Sequence, residues 1–167
     1  MSDARSGARW LWLSAATLAA DRATKYLIEA RTTDAFRFVV VPQVVTIVHN
    51  QNPGIAFGVF SDSTSRWLEA ALVTGAIAVL ALLVWLLISG RAGGGLARAG
   101  VALMTGGAAG NVLDRLLHGG VTDFVEVRIG HYLWPAFNVA DSALTVGAAL
   151  ILIELLFSGR HARTERA

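Results

Sequence analysis

The sequence predicts an all-α membrane protein, four transmembrane helices carrying a small β-structure on the outer side. Three observations lead there. The 167 residues are 54% hydrophobic and only 16% charged, with a mean hydropathy of +0.56, whereas a soluble domain carries about 25% charged residues. Long charge-free runs recur, among them the 21 residues from Ala70 to Gly90. Arginines collect at three flanks that an even number of crossings puts on one side. The length suits a single integral-membrane domain, 1–167, with no room for a large second one.

Four apolar segments qualify as spans. The first, about 9–28, begins RWLWLSAATLAA and has no charge between Arg9 and Asp21. The second, about 67–89, contains the 21-residue uncharged run from Ala70 to Gly90. The third, about 97–117, is uncharged from Ala99 to Leu113 and rich in small residues. The fourth, about 137–158, holds ALTVGAALILI between Asp141 and Glu154. At about 1.5 Å rise per residue, each is long enough for a hydrocarbon core of about 30 Å. In the third, Gly106 and Gly110 form a small-xxx-small pair that lets another helix approach closely.

The flanks set the orientation. Arg5 and Arg9 precede span 1, Arg91 and Arg98 border the Gly-rich turn between spans 2 and 3, and Arg160, Arg163 and Arg166 follow span 4. The positive-inside rule makes that side cytoplasmic, with both termini on it. The connections 29–66 and 118–136 then lie outside. A cleaved signal peptide is the competing reading of the N-terminus. The apolar run continues through Tyr26, Leu27 and Ile28, however, and its removal would leave an odd number of spans. Outside, FRFVVVPQVVTIVHN (36–50) reads as strand broken at Pro42, part of a two- or three-stranded platform. SDSTSRW (61–67) reads as a loop and helix start, with Ser and Thr as caps and Trp67 in the interfacial belt.

Several chemistries drop out. With no Cys there are no disulfides, thiol nucleophiles or Cys-based metal centres. The pI is about 9.7, yet the net charge is only +2, and all basic residues but Lys25 are Arg. No basic stretch interleaved with aromatics marks a nucleic-acid surface. His49, His118, His131 and His161 fit no familiar ligand spacing, so neither metal nor other cofactor is expected.

Ionisable groups at membrane depth are expensive and usually functional. Counted from the cytoplasmic flanks, Asp21, Asp114 and Asp141 lie about 18, 24 and 28 Å outward. Asn111 and Asn138 fall close by, and Asp123 sits in the short outer loop. Separate helices thus deliver polar groups to one layer near the outer interface. Structural roles compete for some of them. Asp21 and Lys25, spaced i, i+4, pair on one helix face; Asp114 braces span 3; Arg115 meets a headgroup or a substrate carbonyl. Glu69 and Glu154 near span ends carry no chemistry, and Glu29, Asp34, Asp62 and Glu126 read as ordinary outer-loop charges. A Ser142–Lys25 nucleophile pair is an alternative chemistry. The strongest candidates are Asp123 and Asp141, because span 3 going out and span 4 returning bring them together. Two close carboxylates share a proton and titrate as a unit, supplying a base to activate water and an acid for a leaving amine. A small proton-coupled carrier using buried Asp and Arg is the alternative from another class, but it would spread its charges across the membrane depth. A scaffold subunit, silent to loss of both carboxylates, is a third.

Five blocks in order, DRATK (21–25), NPGIAF (52–57), GNVLDR (110–115), VTDF (121–124) and FNVADS (137–142), resemble those of lipoprotein signal peptidase, the bacterial signal peptidase II family of aspartic proteases. The resemblance spans nearly the whole chain. It implies four transmembrane helices, an outer β-cradle and a short amphipathic outer helix, in the bacterial inner membrane with the active site near the outer leaflet. It also implies substrates: prolipoproteins bearing a diacylated Cys, cut just before that Cys. Besides those substrates and membrane lipids no partner is expected, and the chain is expected to act as a monomer. By motif, Asp123 and Asp141 are the catalytic dyad. Asn52, Asn111, Arg115 and Asn138 match residues that line the site and hold substrate or dyad, and Asp21, Lys25 and Asp114 match residues that support it. The chain departs from the family at Arg22, often Gln, and at Ile55, usually Ala.

Overall fold

The computed structural model describes residues 7–53 and 66–164, with side chains except those at 66, 68, 69 and 158–164. The block at 54–57, the outer helix start at 61–65 and the flanking Arg5, Arg160, Arg163 and Arg166 side chains lie outside the described residues. Among the described residues four long helices and four strands follow one another: α1 (Leu11–Arg31), β1 (Arg37–Val41), β2 (Val45–Asn52), α2 (Arg66–Ile88), α3 (Gly95–His118), β3 (Val121–Ile129), β4 (Tyr132–Phe137) and α4 (Val139–Thr164). Each helix covers one anticipated span, shifted by a few residues at the ends.

Two of them, over Ala70–Ile88 and Val139–Phe157, are long and apolar enough to cross a membrane, with mean hydropathies of 2.8 and 1.9. Only 11% and 17% of those windows are buried inside the protein. A soluble core helix would hide such residues; here Leu152, Leu155, Leu156 and Phe157 face outward, as do Leu82 and Trp85. Apolar surface of this extent marks a membrane or a partner. α1 and α3 interrupt their apolar character with Asp21, Arg22 and Lys25, and with Asp114 and Arg115.

α3 is the hub and packs against the other three helices. Its small residues make this possible. A methyl group at Gly106 would stand 2.5 Å from the Ser14 carbonyl oxygen and 2.6 Å from Thr17 Cβ of α1, and one at Gly107 would stand 2.6 Å from the Ala140 carbonyl of α4. Gly100 and Gly147 likewise face each other's carbonyls at 2.5 Å. Ser14 Oγ reaches across to donate to the Ala102 carbonyl (2.9 Å), an interhelical bond that apolar surroundings favour. At Gly110 the space left by the missing side chain takes the Asp21 carboxylate. Of the anticipated small-residue pair, Gly106 therefore admits a helix and Gly110 admits an ionised group.

The strands form one antiparallel sheet of order β1-β2-β3-β4. The anticipated platform of two or three strands is thus a sheet of four. The strand reading at 36–50 extends as a β1–β2 hairpin, which turns where Pro42 presets one dihedral and Gln43 adopts φ 61°. The β3–β4 hairpin comes from 118–136, where no strand was anticipated. It follows α3 almost directly: Gly119, left-handed at φ 73°, caps the helix by donating to the Arg115 carbonyl and sends the chain into β3. Asp123 therefore sits in a strand, not in a loop.

Candidate active site

Every polar residue anticipated at the outer end of the helices converges on one region. Lys25 is fully buried, as are Asp21 and Asp114. Its ammonium has three donors and no acceptor, and it finds three acceptors: Asp21 Oδ2 and Asp114 Oδ2, each at 2.8 Å, and Asn111 Oδ1 at 3.0 Å. The i, i+4 pair of Asp21 and Lys25 exists, but as one arm of a tripod joining α1 to α3. Asp114 also accepts from Arg22 and from the Thr122 N–H at 3.2 Å, and so ties β3 to both helices.

This tripod orients what lies beyond it. Because Lys25 can only donate, Asn111 must turn its oxygen toward it and its NH₂ away. That NH₂ donates to Asp141 Oδ1 at 2.9 Å. Asp141 stands in the first turn of α4, and its other oxygen accepts the Asn138 N–H at 3.3 Å. Asn138 Oδ1 in return accepts the Asp141 N–H at 2.9 Å. The exchange is a capping box, which satisfies two donors that the helix start would otherwise leave open. A third, the Ala140 N–H, is taken by Asp21 Oδ1 at 2.9 Å, a carboxylate placed where the helix dipole favours negative charge.

Asn138 also spans the gap between the two acids. Its NH₂ donates to Asp123 Oδ1 at 2.7 Å. The second Asp123 oxygen accepts from Asn52 Nδ2 at 3.0 Å; pairing of β2 with β3, which sets Asn50 against Asp123 and Asn52 against Val121, brings the two side chains together. Asp123 is 2% exposed. Burial pushes its carboxyl up to about 7, with the Asp141 charge adding to the rise and the Asn52 and Asn138 bonds and Lys25 opposing it. The site therefore contains a carboxyl that exchanges a proton near neutrality.

Asp123 and Asp141 line one cavity of about 260 Å³ together with Asn52, Asn111 and Arg115. Its remaining wall is apolar, from Gly75, Ala76 and Val79 of α2, Ala108 of α3, Val121 of β3 and Leu144 of α4. Arg115 is held by donation to the Asn111 carbonyl at 3.2 Å. Such a chamber provides two carboxyls, amides that fix them and a cation.

Sequence reasoning missed three contributors. Glu29 is not an outer-loop charge: it lies on α1, accepts from Thr122 Oγ1 at 2.7 Å and pairs with Arg22 at 3.4 Å. Its spacing of four from Lys25 and eight from Asp21 was the available signal, since it shares their helix face. Thr122, fully buried, also accepts from Gln51 Nε2 at 2.9 Å. Arg22 bridges Asp114 and Glu29. Glu29, Asp114 and His118 bring ligand atoms within 4.8 Å of one another, but Arg22 already supplies the positive charge there. Ser142 gives its hydroxyl to the Asn138 carbonyl (3.0 Å) and not to Lys25.

Residues 13–157 match the family described as signal peptidase (SPase) II. The chain is 42% identical to the lipoprotein signal peptidase of Solibacter usitatus (strain Ellin6076), the alignment covering 92% of this chain and 95% of that one. It is 38% identical to the lipoprotein signal peptidase of Staphylococcus carnosus (strain TM300), over 92% of this chain and 93% of the other. Among solved structures it resembles two described as bacterial membrane enzymes, determined by the in meso method. The one at 2.3 Å resolution has a TM-score of 0.79 and 30% identity, over 91% of this chain and 90% of the other. The one at 1.9 Å has a TM-score of 0.76 and 31% identity, over 89% and 93%. On a match that runs from the first helix to the last, the chain belongs to the signal peptidase II family of proteases.

Proposed function

We propose that the chain is a membrane-embedded aspartic endopeptidase that removes signal peptides from diacylglyceryl-modified prolipoproteins, cutting just before the lipidated Cys. The family and the names of its relatives support the activity and the substrate class. One observation carries the mechanism: Asn138 bonds both Asp123 and Asp141, so two carboxyls on different elements border one chamber. In the resting site the shared proton is on Asp123, whose burial favours the neutral form, and Asp141 is the base. Water attacks the scissile carbonyl carbon, giving its proton to Asp141, while Asp123 passes its proton to the carbonyl oxygen. The gem-diol then collapses. Asp141 returns its proton to the departing Cys amine, the C–N bond breaks, and Asp123 regains a proton from one hydroxyl. The dyad ends as it began, with one water consumed.

Asn52, Asn111 and Asn138 hold the acids, and Arg115 is available to a substrate carbonyl. Lys25, Asp21 and Asp114 fix the frame. The chain crosses the inner membrane four times as one domain, with both termini cytoplasmic and the dyad near the outer leaflet. A substrate held in that leaflet by its acyl chains already has its scissile bond at the right depth. The test is purified protein in detergent with a diacylated lipobox peptide. Asp123→Asn and Asp141→Asn should each abolish cleavage while leaving a folded protein; full turnover by either variant sinks the dyad.

A further inference from the structure

A second cavity meets the site at Asp141. It holds about 350 Å³ between β4 and the outer face of α4, bordered by Trp134, Phe137, Ser142, Thr145 and Val146 as well as Asp141. A third, open groove of about 400 Å³ between α1, α3 and α4 shares Ser142 and Val146 with it and continues past Ala16, Leu103 and Ala143. Ser142 and Val146, four residues apart, stand on one face of α4. An apolar track therefore leaves the acid at Asp141 and runs along α4.

We infer that this α4 track binds an acyl chain of the substrate's lipid, while the chamber holding both acids takes the peptide. The assignment rests on the peptidase reading and specifies which side of Asp141 each half of the substrate occupies. The chemistry of the walls separates the two. A hydrocarbon pressed against Asn52, Asn111 and Arg115 would strip water from polar groups and return no hydrogen bond. A peptide bond offers those groups partners. Along the α4 track the polar side-chain groups other than Asp141 are small hydroxyls or the indole N–H of Trp134, and Ser142 and Thr145 already donate within their own helix, to the Asn138 and Asp141 carbonyls. Val146 is 51% exposed, so a chain can enter from the surrounding lipid without opening the fold. The lipidated Cys adjoins the scissile bond, and its acyl chains need an apolar slot that begins at the reacting carboxylates. The track begins there.

The test uses the full-length protein in detergent with two peptides of one lipobox sequence, one dipalmitoylated and one dibutyrylated. Val146→Trp fills the ridge shared by both cavities. The expected result is a KM for the dipalmitoyl peptide raised about tenfold, the loss of about two buried methylenes, with kcat and the dibutyryl KM nearly unchanged. Leu152→Trp, on the same helix but lining neither cavity, should change neither. Photo-crosslinking gives a readout independent of turnover and of the Trp variant. With Asp123→Asn protein, a diazirine on the acyl chain should label residues 134–137 or 142–146. Equal KM changes for both peptides, no change with Val146→Trp, or labelling of α2 around Ala76 and Val79 overturns the assignment alone. No cleavage of either peptide by the unsubstituted protein overturns the peptidase reading together with it.

Discussion

Lys25 shows how one side chain sets the state of a site it does not enter. Buried between two carboxylates, it neutralises charge that the helices could not otherwise hold. Removing one member of a buried ion pair leaves an uncompensated charge and is typically destabilising by about 3–5 kcal/mol. Lys25→Met should therefore lower the thermal midpoint in detergent strongly. Adding Asp21→Asn should restore part of the loss, because Asp114 keeps Arg22. A midpoint unchanged by Lys25→Met would show that the tripod is not a structural tie. Asp123 leads to a prediction about pH. Its folded-state carboxyl titrates near 7, above the ordinary value of 3.8. Between those values the folded protein binds the proton that the unfolded chain has lost, so stability falls as pH rises. Asp123→Asn removes that dependence. Its midpoint relative to the parent should rise from pH 4 to pH 8, measured by thermal shift. If Asp123 acts as the acid, kcat/KM should also fall on an alkaline limb near 7. Asn52→Ala, which removes a bond favouring the ionised form, should move that limb upward.

At the scale of elements, close helix approach decides which glycines matter. Gly106→Ala would push a methyl into the Ser14 carbonyl and Thr17, a backbone clash that α1 relieves only by moving away. Overpacking of this kind typically costs about 1–3 kcal/mol. Gly75→Ala in α2 meets nothing within 4 Å, and alanine in a helix interior gains up to about 1 kcal/mol over glycine. Thermal midpoints should thus move in opposite directions, and a loss of similar size at both positions would refute the packing argument. The four helices were legible because apolar runs bounded by arginines need no knowledge of tertiary partners. β1 and β2 were legible from Val and Ile around Pro42. The β3–β4 hairpin was not: VTDFVEVRIGHYLWPAF mixes charges with a Pro, and its pairing with β2 is set by contacts distant in sequence. The site divides the same way. Asp141 and Asn138 were legible because they fall together at the outer end of span 4, in FNVADS. Thr122 and Glu29 contribute through a bond spanning 93 positions, which no local pattern encodes. Glu154 is a similar case: it accepts the Gly94 and Ala97 N–H groups at 2.5 and 3.0 Å and so caps α3 from α4.

For the whole molecule, the question is how helices bearing buried charge lie in lipid. α2 and α4 present apolar faces outward, whereas α1 and α3 turn Asp21, Lys25 and Asp114 toward each other and leave few unpaired charges for the bilayer to reject. Ionisable groups that are mutually satisfied make spanning by α1 and α3 compatible with their composition. The four-span arrangement then requires the α2–α3 turn, around Arg91, and the β3–β4 turn, around His131, to lie on opposite sides of the membrane. The chain has no native Cys, so single-cysteine labelling has no background. His131→Cys, in a two-residue hairpin turn exposed to solvent, should react with a membrane-impermeant maleimide added to spheroplasts with an intact inner membrane. Arg91→Cys, also exposed, should react only after permeabilisation, since Arg91 belongs to a basic flank that the positive-inside rule expects on the cytoplasmic side. Labelling of both positions from the same side would show that α3 does not cross, and the depth argument that brings Asp114, Asp123 and Asp141 to the outer leaflet would fail with it.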